Sequence, residues 1–255
     1  MKLLAIVLML LTLGAVGKVV ENFKDCTDFF WMSQPPFFYS ESANKLQILP
    51  SDKHKTICQA FNNKYYFATL YDTVRKIPVY SAYKYTGSSE CNMKRPSWRS
   101  DPELKDEQAS NNDYENTKYE RGHLYPVCHA PNSEAVKSTF TLTNAAPQKC
   151  DFNKMWYHRV ENKVRETLKK CPQNTAYIVT GVVPSDTEKM GVVTVPSHFW
   201  TAYYGGNNCA FGGYIMGKDE DDETKYEDLN EFEDELTKLY KRKVQVFSKK
   251  QARTS

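Results

Sequence analysis

The 255-residue chain has the composition of an ordinary globular protein, with 40% hydrophobic and 25% charged residues and a formal net charge of +3. Enough apolar side chains are present to fill a core, which excludes a collagen-like or disordered chain. The length permits one large domain or two small ones, since about 150 residues per domain is usual. The net charge is too small to indicate a high-affinity nucleic-acid binder by itself.

Residues 1–17 have the pattern of a secretory signal peptide. An apolar run follows Lys2, and the small residues Ala15 and Gly17 precede the expected cleavage site. The run is shorter than the roughly 20 apolar residues that a membrane span needs. The sequence therefore predicts a secreted, extracellular chain without a membrane span, whose single domain covers residues 18–255.

Seven cysteines lie beyond the predicted signal peptide, and none forms a CxxC pair. Disulfides are the default in an exported chain, and the odd number leaves one thiol over. The spacing alone leaves the connectivity open. We predict one pair, Cys26–Cys58, because both residues precede the first predicted strand and a bridge would tie down the aromatic segment between them.

The first half of the chain is predicted to begin without regular structure, over residues 18–60. Two Tyr-rich segments, at 65–73 and 77–87, are predicted to form neighbouring strands. Residues 88–120 form a long polar loop, and a loop of this length in a compact domain is usually functional or mobile. TFTLTN (139–144) alternates like a strand.

The second half is predicted to contain two amphipathic helices and three strands. The first helix, Asp151–Lys170, carries apolar residues at every fourth position from Phe152 to Leu168. The remaining predicted elements are strands at 176–184, 192–204 and 210–217 and a helix at 226–241. We expect an α+β fold with a central, mostly antiparallel sheet flanked by helices.

The charge distribution is uneven near the carboxyl terminus. Residues 218–235 hold 11 acidic residues, and the last twenty residues hold seven basic ones and no acidic one. The acidic segment lacks a calcium-binding loop pattern, so we interpret it as a solvated helix face. The basic tail either contacts nucleic acid or an anionic surface, or is a solvated terminus.

Two polar residues of the first predicted helix do not fit a purely structural role. At 100° per residue, Asn153 lies near the middle of the apolar stripe and Glu161 at its edge. An unsatisfied buried amide costs about 1–3 kcal/mol. Asn153 therefore either hydrogen-bonds to neighbouring backbone or binds a hard cation such as Mg²⁺, for which an amide oxygen is a suitable ligand.

A second candidate motif is Glu120-Arg121-Gly122-His123, at the end of the polar loop. An Arg and a His separated by one Gly can both face a phosphate where the Gly lets the backbone bend sharply. A zinc site at His123 lacks a second ligand pair in the sequence. The other histidines are interpreted as structural or surface residues: His54, His129, His158 and His198.

Together these blocks resemble the DNA/RNA non-specific endonucleases with a ββα-metal site, a family that includes secreted bacterial nucleases and mitochondrial endonuclease G. Within the family, the chain is most similar to the endonuclease domain-containing 1 group of animals. The resemblance covers residues 60–217. It is carried by IPVYSAYKY, SDPEL, NDYENTKYERGHLYPV, TFTLTNAAPQKCDFNKMWYHRVE, YIVTG and VPSHFW.

The resemblance implies a role for each matching residue. His123 matches the general base, Asn153 the direct Mg²⁺ ligand, and Glu161 a catalytic carboxylate that holds a metal-bound water. Arg121 matches the motif arginine that contacts substrate, and Asn144 matches a substrate-contacting helper near the metal shell. A further phosphate-contacting arginine is matched by Arg95 or Arg99. The implied cofactor is Mg²⁺, with Mn²⁺ as a substitute.

Glu120 departs from the family motif, in which this catalytic carboxylate is an Asp. Keeping His123 and Asn153 favours an active enzyme, and we expect the longer carboxylate to reach the same partner. The sequence thus predicts a secreted, Mg²⁺-dependent endonuclease that hydrolyses DNA and RNA without sequence specificity. The alternative is a catalytically weak or inactive extracellular binding protein on a nuclease fold. The oligomeric state is left open.

Overall fold

The computed structural model describes residues 17–42, 45–87, 91, 93–171, 175–205 and 211–248, and it has the predicted α+β fold. None of the helices within these ranges combines the length and apolarity that a bilayer crossing requires. In chain order the strands are β1 (Lys18–Val20), β2 (Phe37–Ser42), β3 (Lys45–Ile48), β4 (His54–Phe61), β5 (Lys64–Asp72), β6 (Ile77–Tyr85), β7 (Tyr119–His123), β8 (Ala145–Lys149), β9 (Ala176–Met190), β10 (Val193–Tyr204), β11 (Gly212–Gly217), β12 (Thr224–Tyr226) and β13 (Lys243–Gln245). The α-helices are α1 (Ser133–Thr139), α2 (Cys150–Trp156), α3 (Asn162–Lys169) and α4 (Leu229–Tyr240).

Eight of these strands form one antiparallel sheet in the order β1-β4-β5-β6-β9-β10-β11-β12. A three-stranded sheet has the order β13-β2-β3, and β7 and β8 form a separate two-stranded ribbon. The prediction of a central antiparallel sheet flanked by helices is confirmed. Whether residues 18–255 form a single domain stays a prediction.

The main sheet carries a packed layer on each face. Successive strand residues point to opposite faces, and Phe199 and Trp200 of β10 show where each face leads. Phe199 packs against Phe152 of α2, with ring centroids 5.1 Å apart, whereas Trp200 packs against Phe232 of α4 at 6.1 Å. The ribbon and α2–α3 therefore lie over one face, and α4 lies over the other.

Disulfides join distant segments of the chain. The predicted Cys26–Cys58 bridge is confirmed, and a second bridge links Cys91 to Cys128. Cys171 is also disulfide-bonded, while Cys150 has a free thiol. Cys209 lies outside the described residues.

The prediction that residues 18–60 are irregular is wrong, because this segment contributes β1 to β4. The strand β4 begins with His54 and Lys55, and polar side chains at these positions hide the usual alternation. It pairs on one side with β1 and on the other with β5. Its central residues Ile57 and Cys58 are consequently buried, on both faces of the sheet.

The strand predicted at 139–144 is also wrong. The helix α1 ends at Thr139, and Leu142–Asn144 forms a turn of 3₁₀-helix. Thr139 Oγ1 donates to the carbonyl of Val136 at 2.8 Å, and the hydroxyls of Thr141 and Thr143 lie 3.1 Å apart. Local hydrogen bonds of this kind compete with strand pairing, so alternation of threonines was a misleading signal.

The acidic segment 218–235 is only partly a helix face. Its first part forms a loop and β12, and α4 starts at Leu229. The loop carboxylates pair with bases on the α2–α3 side: Asp219 with Lys149 at 2.6 Å, and Asp222 and Glu223 with Arg159 and Lys163.

Candidate functional site

The candidate site is built on the β7–β8 ribbon and the helix that follows it. The two strands are antiparallel, with Glu120 opposite Gln148 and His123 opposite Ala145. The chain then passes from Lys149 directly into α2, so two strands and a helix are contiguous in space. This arrangement brings the Glu120–His123 motif next to the residues of the predicted metal-binding helix.

Gly122 leaves room for the side chain of Gln148 on the neighbouring strand. A Cβ at this position would be 1.9 Å from Gln148 Oε1, which no real side chain could tolerate. Beneath the ribbon, Asn144 Oδ1 accepts from the backbone N–H of Tyr125, and its Nδ2 donates to the carbonyls of Tyr125 and Thr139. These bonds fix the chain immediately after His123.

The imidazole of His123 lies between aromatic rings. Its centroid is 4.5 Å from the Trp98 ring and 4.8 Å from the Phe140 ring. The Nε2 atom is shielded from solvent and has no hydrogen-bond partner among the described residues. Burial, together with the charge of Arg95, lowers the pKa of His123 to about 3. His123 is therefore a neutral imidazole at physiological pH, the form that can accept a proton.

Asn153 is oriented by the unusual glutamate of the motif. Its Nδ2 donates to Glu120 Oε2 at 2.7 Å. Since the amide nitrogen is used in this bond, the Oδ1 atom is left as a free acceptor within the described part of the chain. An amide oxygen presented in this way can ligate a hard cation.

Glu161 closes a π-helical turn, Tyr157–Glu161, between α2 and α3. Such turns are frequent at functional sites. Burial raises the pKa of Glu161 to about 8, although the nearby Arg165 and Arg95 act in the opposite direction. The backbone carbonyl of Glu161 lies 2.9 Å from His129 Nε2, which fixes this turn against the segment after His123. The predicted structural role of His129 is consistent with this contact and with its burial.

Arg95 connects the two halves of the site. Its positive charge lowers the pKa of both His123 and Glu161, so the guanidinium lies within electrostatic range of each group. Its own side chain is exposed. Of the two arginines matched to a phosphate contact, Arg95 is the one whose charge acts on both His123 and Glu161.

Arg99 and Arg121 have other contacts. The guanidinium of Arg99 lies 5.3 Å from the Phe61 ring centroid and donates to the carbonyl of Lys137. Arg121 stacks on Tyr114 at 4.9 Å and donates to the carbonyl of Asn111 at 3.0 Å. In this conformation, both side chains hold the polar loop in place.

The position of Asn144 does not expose it to substrate. It is completely buried, and Ser81 Oγ donates to its Oδ1 at 2.9 Å in addition to the backbone bonds described above. A side chain without accessible surface supports the site from beneath. This position differs from the predicted contact with substrate.

Two further polar residues lie at the site that the sequence did not single out. Gln148 is buried against Gly122, and neither its Nε2 nor its Oε1 has a partner within the described ranges. Arg165 donates to Cys91 Sγ at 2.7 Å and faces Glu161 one helical turn away. The spacing of Glu161 and Arg165, four residues apart on a helix, was a signal that could have identified this pair.

The potential ligand atoms at the site fit Mg²⁺ better than a softer metal. The free atoms are the Asn153 amide oxygen and the Glu161 carboxyl oxygens, and Mg²⁺ prefers oxygen ligands and keeps several waters. The described ranges contain no cluster of three or more His, Cys, Asp or Glu residues that could hold a metal ion. With Asn153 and Glu161 as its protein ligands, a bound Mg²⁺ would keep several waters.

Comparison with known proteins identifies the family. The family model of the DNA/RNA non-specific endonucleases matches residues 49–252. The chain belongs to this endonuclease family. The match extends beyond residues 60–217, which carried the resemblance in the sequence.

Individual relatives agree with the family assignment. The chain is 32% identical to human endonuclease domain-containing 1 protein over 79% of its length, and 30% identical to the mouse protein over 89%. It covers only 42% and 47% of these two relatives, so it spans less than half of their length. The nuclease of Serratia marcescens is 25% identical, over 67% of this chain and 68% of that one.

A solved structure shows the same fold. The EndoG chain of the EndoG/EndoGI complex superposes with a TM-score of 0.57 at 19% identity, covering 71% of this chain and 83% of that one. The ββα-metal fold class is thereby confirmed. The roles of individual site residues stay predictions.

Proposed function

We propose that this chain is a Mg²⁺-dependent endonuclease that hydrolyses phosphodiester bonds of DNA and RNA without sequence specificity. The observation that carries the proposal is that a neutral imidazole, His123, and the Glu161 carboxyl both lie within range of the Arg95 charge, while Glu120 of the same motif holds the Asn153 amide. This combination supplies a base, a metal ligand set and a cation in one place.

His123 accepts the proton of the attacking water. Its low pKa keeps the ring unprotonated before substrate binds. A phosphodiester anion beside the ring favours the imidazolium and raises this pKa, which strengthens the base when it is needed. The Trp98 and Phe140 rings hold the imidazole at a fixed angle, so the proton is accepted at a defined position.

The other polar residues of the site are suited to binding the phosphate and the metal ion. Arg95 can hold a non-bridging oxygen by charge-assisted hydrogen bonds. Asn153 and Glu161 would hold Mg²⁺, which supplies Lewis-acid stabilisation of the leaving oxygen when bound. Glu120 keeps the Asn153 amide in the orientation that directs Oδ1 outward.

Contacts to phosphate carry no sequence information, and this supports non-specific cleavage of both nucleic acids. Two observations support export of the chain. The signal-like pattern of residues 1–17 directs secretion, and disulfides such as Cys26–Cys58 persist in oxidising compartments.

The metal part of the proposal is tested by plasmid and RNA digestion over a Mg²⁺ titration, with and without EDTA. We expect cleavage of both substrates that EDTA abolishes. Asn153→Ala should shift half-activation to Mg²⁺ concentrations about 10-fold higher or more. Asn112→Ala removes an exposed amide on the polar loop and should leave the titration unchanged.

Full activity in excess EDTA would reject the metal site. Binding of DNA without cleavage at any Mg²⁺ or Mn²⁺ concentration would instead favour the alternative, an inactive binding protein on a nuclease fold.

A further inference from the structure

A small polar slot surrounds Gly17, the last residue before the expected signal cleavage. Gly17 is buried, and a Cβ placed on it would lie 2.7 Å from Asp101 Oδ2, 2.8 Å from Gln59 Oε1 and 2.8 Å from Ile57 Cγ2. No side chain fits there. Two of the three nearest atoms are hydrogen-bond acceptors, and none is a donor.

Hydrogen bonds hold both side chains in place, and Asp101 Oδ2 lacks a donor within the described residues. Asp101 is buried, and its Oδ2 has no hydrogen-bond partner within the described residues. Within the described part of the chain, its Oδ1 accepts from the backbone N–H of Glu103 at 3.1 Å. Gln59 donates its Nε2 to Thr143 Oγ1 at 2.8 Å, which turns the Gln59 Oε1 towards the slot.

Such a slot is costly in the uncleaved chain. Burial raises the pKa of Asp101 to about 6, because an ionised carboxylate without a partner is unfavourable in a buried position. A group that brings positive charge and more than one N–H donor would satisfy both oxygens at once.

Signal cleavage after Gly17 creates such a group. We propose that the slot is a binding site for the processed amino terminus, in which the α-ammonium of Lys18 pairs with Asp101 Oδ2 and Gln59 Oε1. Cleavage removes Gly17 and vacates the space that it fills. The Lys18 nitrogen is two covalent bonds from the Gly17 Cα, about 2.4 Å away, and therefore lies at the edge of the slot.

The surroundings direct the α-ammonium, and not the side chain, into the slot. Lys18 pairs with Cys58 in the β1–β4 ladder, which anchors the new terminus. The Lys18 side chain is exposed, and its Nζ lies 3.6 Å from Asp25 Oδ2. The ε-ammonium is thus already engaged elsewhere.

The pairing would also stabilise the loop that supports the candidate base. Asp101 lies three residues after Trp98, whose ring packs on His123. The side chain of Gln108 closes this loop, since its Oε1 accepts from the Asp101 N–H at 2.8 Å. The processed terminus would join β1 to this loop and, through Gln59, to the segment that contains Thr143.

The test compares secreted chains that differ only at the amino terminus. One chain starts at Lys18, as mass spectrometry of the secreted protein should show, and the other carries a Gly-Ser insertion before Lys18. The processed chain should melt at least about 3 °C higher than the extended chain. In the Asp101→Asn background this difference should disappear, while in the Asp25→Asn background it should persist.

A second readout follows the amino group itself and requires no substitution. In the folded processed chain, acylation of the α-amino group at neutral pH should be at least about 10-fold slower than in the extended chain. A secreted chain that starts elsewhere, equal reactivity of the two termini, or a melting difference that survives Asp101→Asn would each overturn the proposal.

Discussion

At the scale of single residues, Glu120 is the departure from the family motif that the structure explains. The Glu120 carboxylate reaches Asn153 Nδ2 at 2.7 Å. Its longer side chain is therefore accommodated by a direct contact to the residue predicted to bind the metal. That this carboxylate reaches the same partner as the family's Asp stays a prediction.

The Glu120–Asn153 bond leads to a prediction on metal affinity. In Glu120→Ala the amide of Asn153 is free to rotate, and the Mg²⁺ concentration for half-maximal cleavage should rise about 10-fold or more. At saturating Mg²⁺ most of the rate should return. The control is Glu115→Ala, which removes an exposed carboxylate from the preceding loop. Equal Mg²⁺ curves for Glu120→Ala and wild type would show that Glu120 does not position Asn153.

Sequence patterns located the residues of the candidate site better than the residues that support them. His123, Asn153 and Glu161 belong to contiguous motifs, and the structure brings them to one ribbon and one helix. The sequence could not show which of Arg95 and Arg99 matches the phosphate contact. The two differ in their side-chain contacts, and these contacts lie in an irregular loop. Gln148 was missed for a similar reason, since its contact with Gly122 depends on strand pairing across 26 residues.

At the scale of structural elements, the Cys91–Cys128 bridge ties the polar loop to the site. Cys91 accepts from Arg165, and Cys128 lies in the short helix, Val127–His129, that contacts the Glu161 turn through His129. The bridge thus lies between the loop that carries Arg95 and the helix that carries Glu161.

The two bridges form a matched pair for a prediction. They span 32 and 37 residues, so their effects on unfolded-chain entropy should be about equal. Replacing Cys91 and Cys128 by Ala should lower kcat/KM of the folded protein by about 10-fold or more, because Arg95 loses its anchor. Replacing Cys26 and Cys58 should lower the melting temperature but leave kcat/KM of the folded protein unchanged. Equal kcat/KM values for the two variants would contradict this role.

The contact between Gly122 of β7 and Gln148 of β8 gives a second prediction at the scale of structural elements. A Cβ at Gly122 would overlap Gln148 Oε1 at 1.9 Å, so Gly122→Ala should displace the buried Gln148 side chain. We expect a lower melting temperature and loss of most activity. In the double variant Gly122→Ala/Gln148→Ala the overlap is removed, and much of the lost melting temperature should return. Calorimetry of the single and double variants checks this, and additive losses would argue against the overlap.

The sequence predicted secondary structure correctly where one face of a segment is apolar. The stripe from Phe152 to Leu168 predicted the helix, although the π-helical turn at 157–161 left no separate signal. The strand β4 was missed because residues 54–61 mix polar and apolar side chains on a strand whose pairing partners lie elsewhere in the chain. Local periodicity reports a half-buried surface and not the contacts made by distant segments.

At the scale of the whole molecule, the main sheet separates two layers, and one of them carries the candidate site. The layer with α2 and α3 carries the candidate site, whereas α4 and β13 belong to the opposite layer. Periodicity was sufficient to predict an α+β molecule. The strand order was not accessible to sequence reasoning, because pairs such as β6 with β9 join residues nearly 100 positions apart.

The central claim is that His123 acts as the base of a phosphodiester-cleaving site. The most direct measurement is single-turnover cleavage of one labelled oligonucleotide with Mg²⁺ by wild type, His123→Ala and His158→Ala. His158 is an exposed histidine in the π-helical turn that ends at Glu161. We predict that His123→Ala lowers the rate by about 10²–10⁴-fold with unchanged melting temperature within a few degrees, and that His158→Ala cleaves at the wild-type rate. A folded His123→Ala variant that cleaves as fast as wild type would contradict the account.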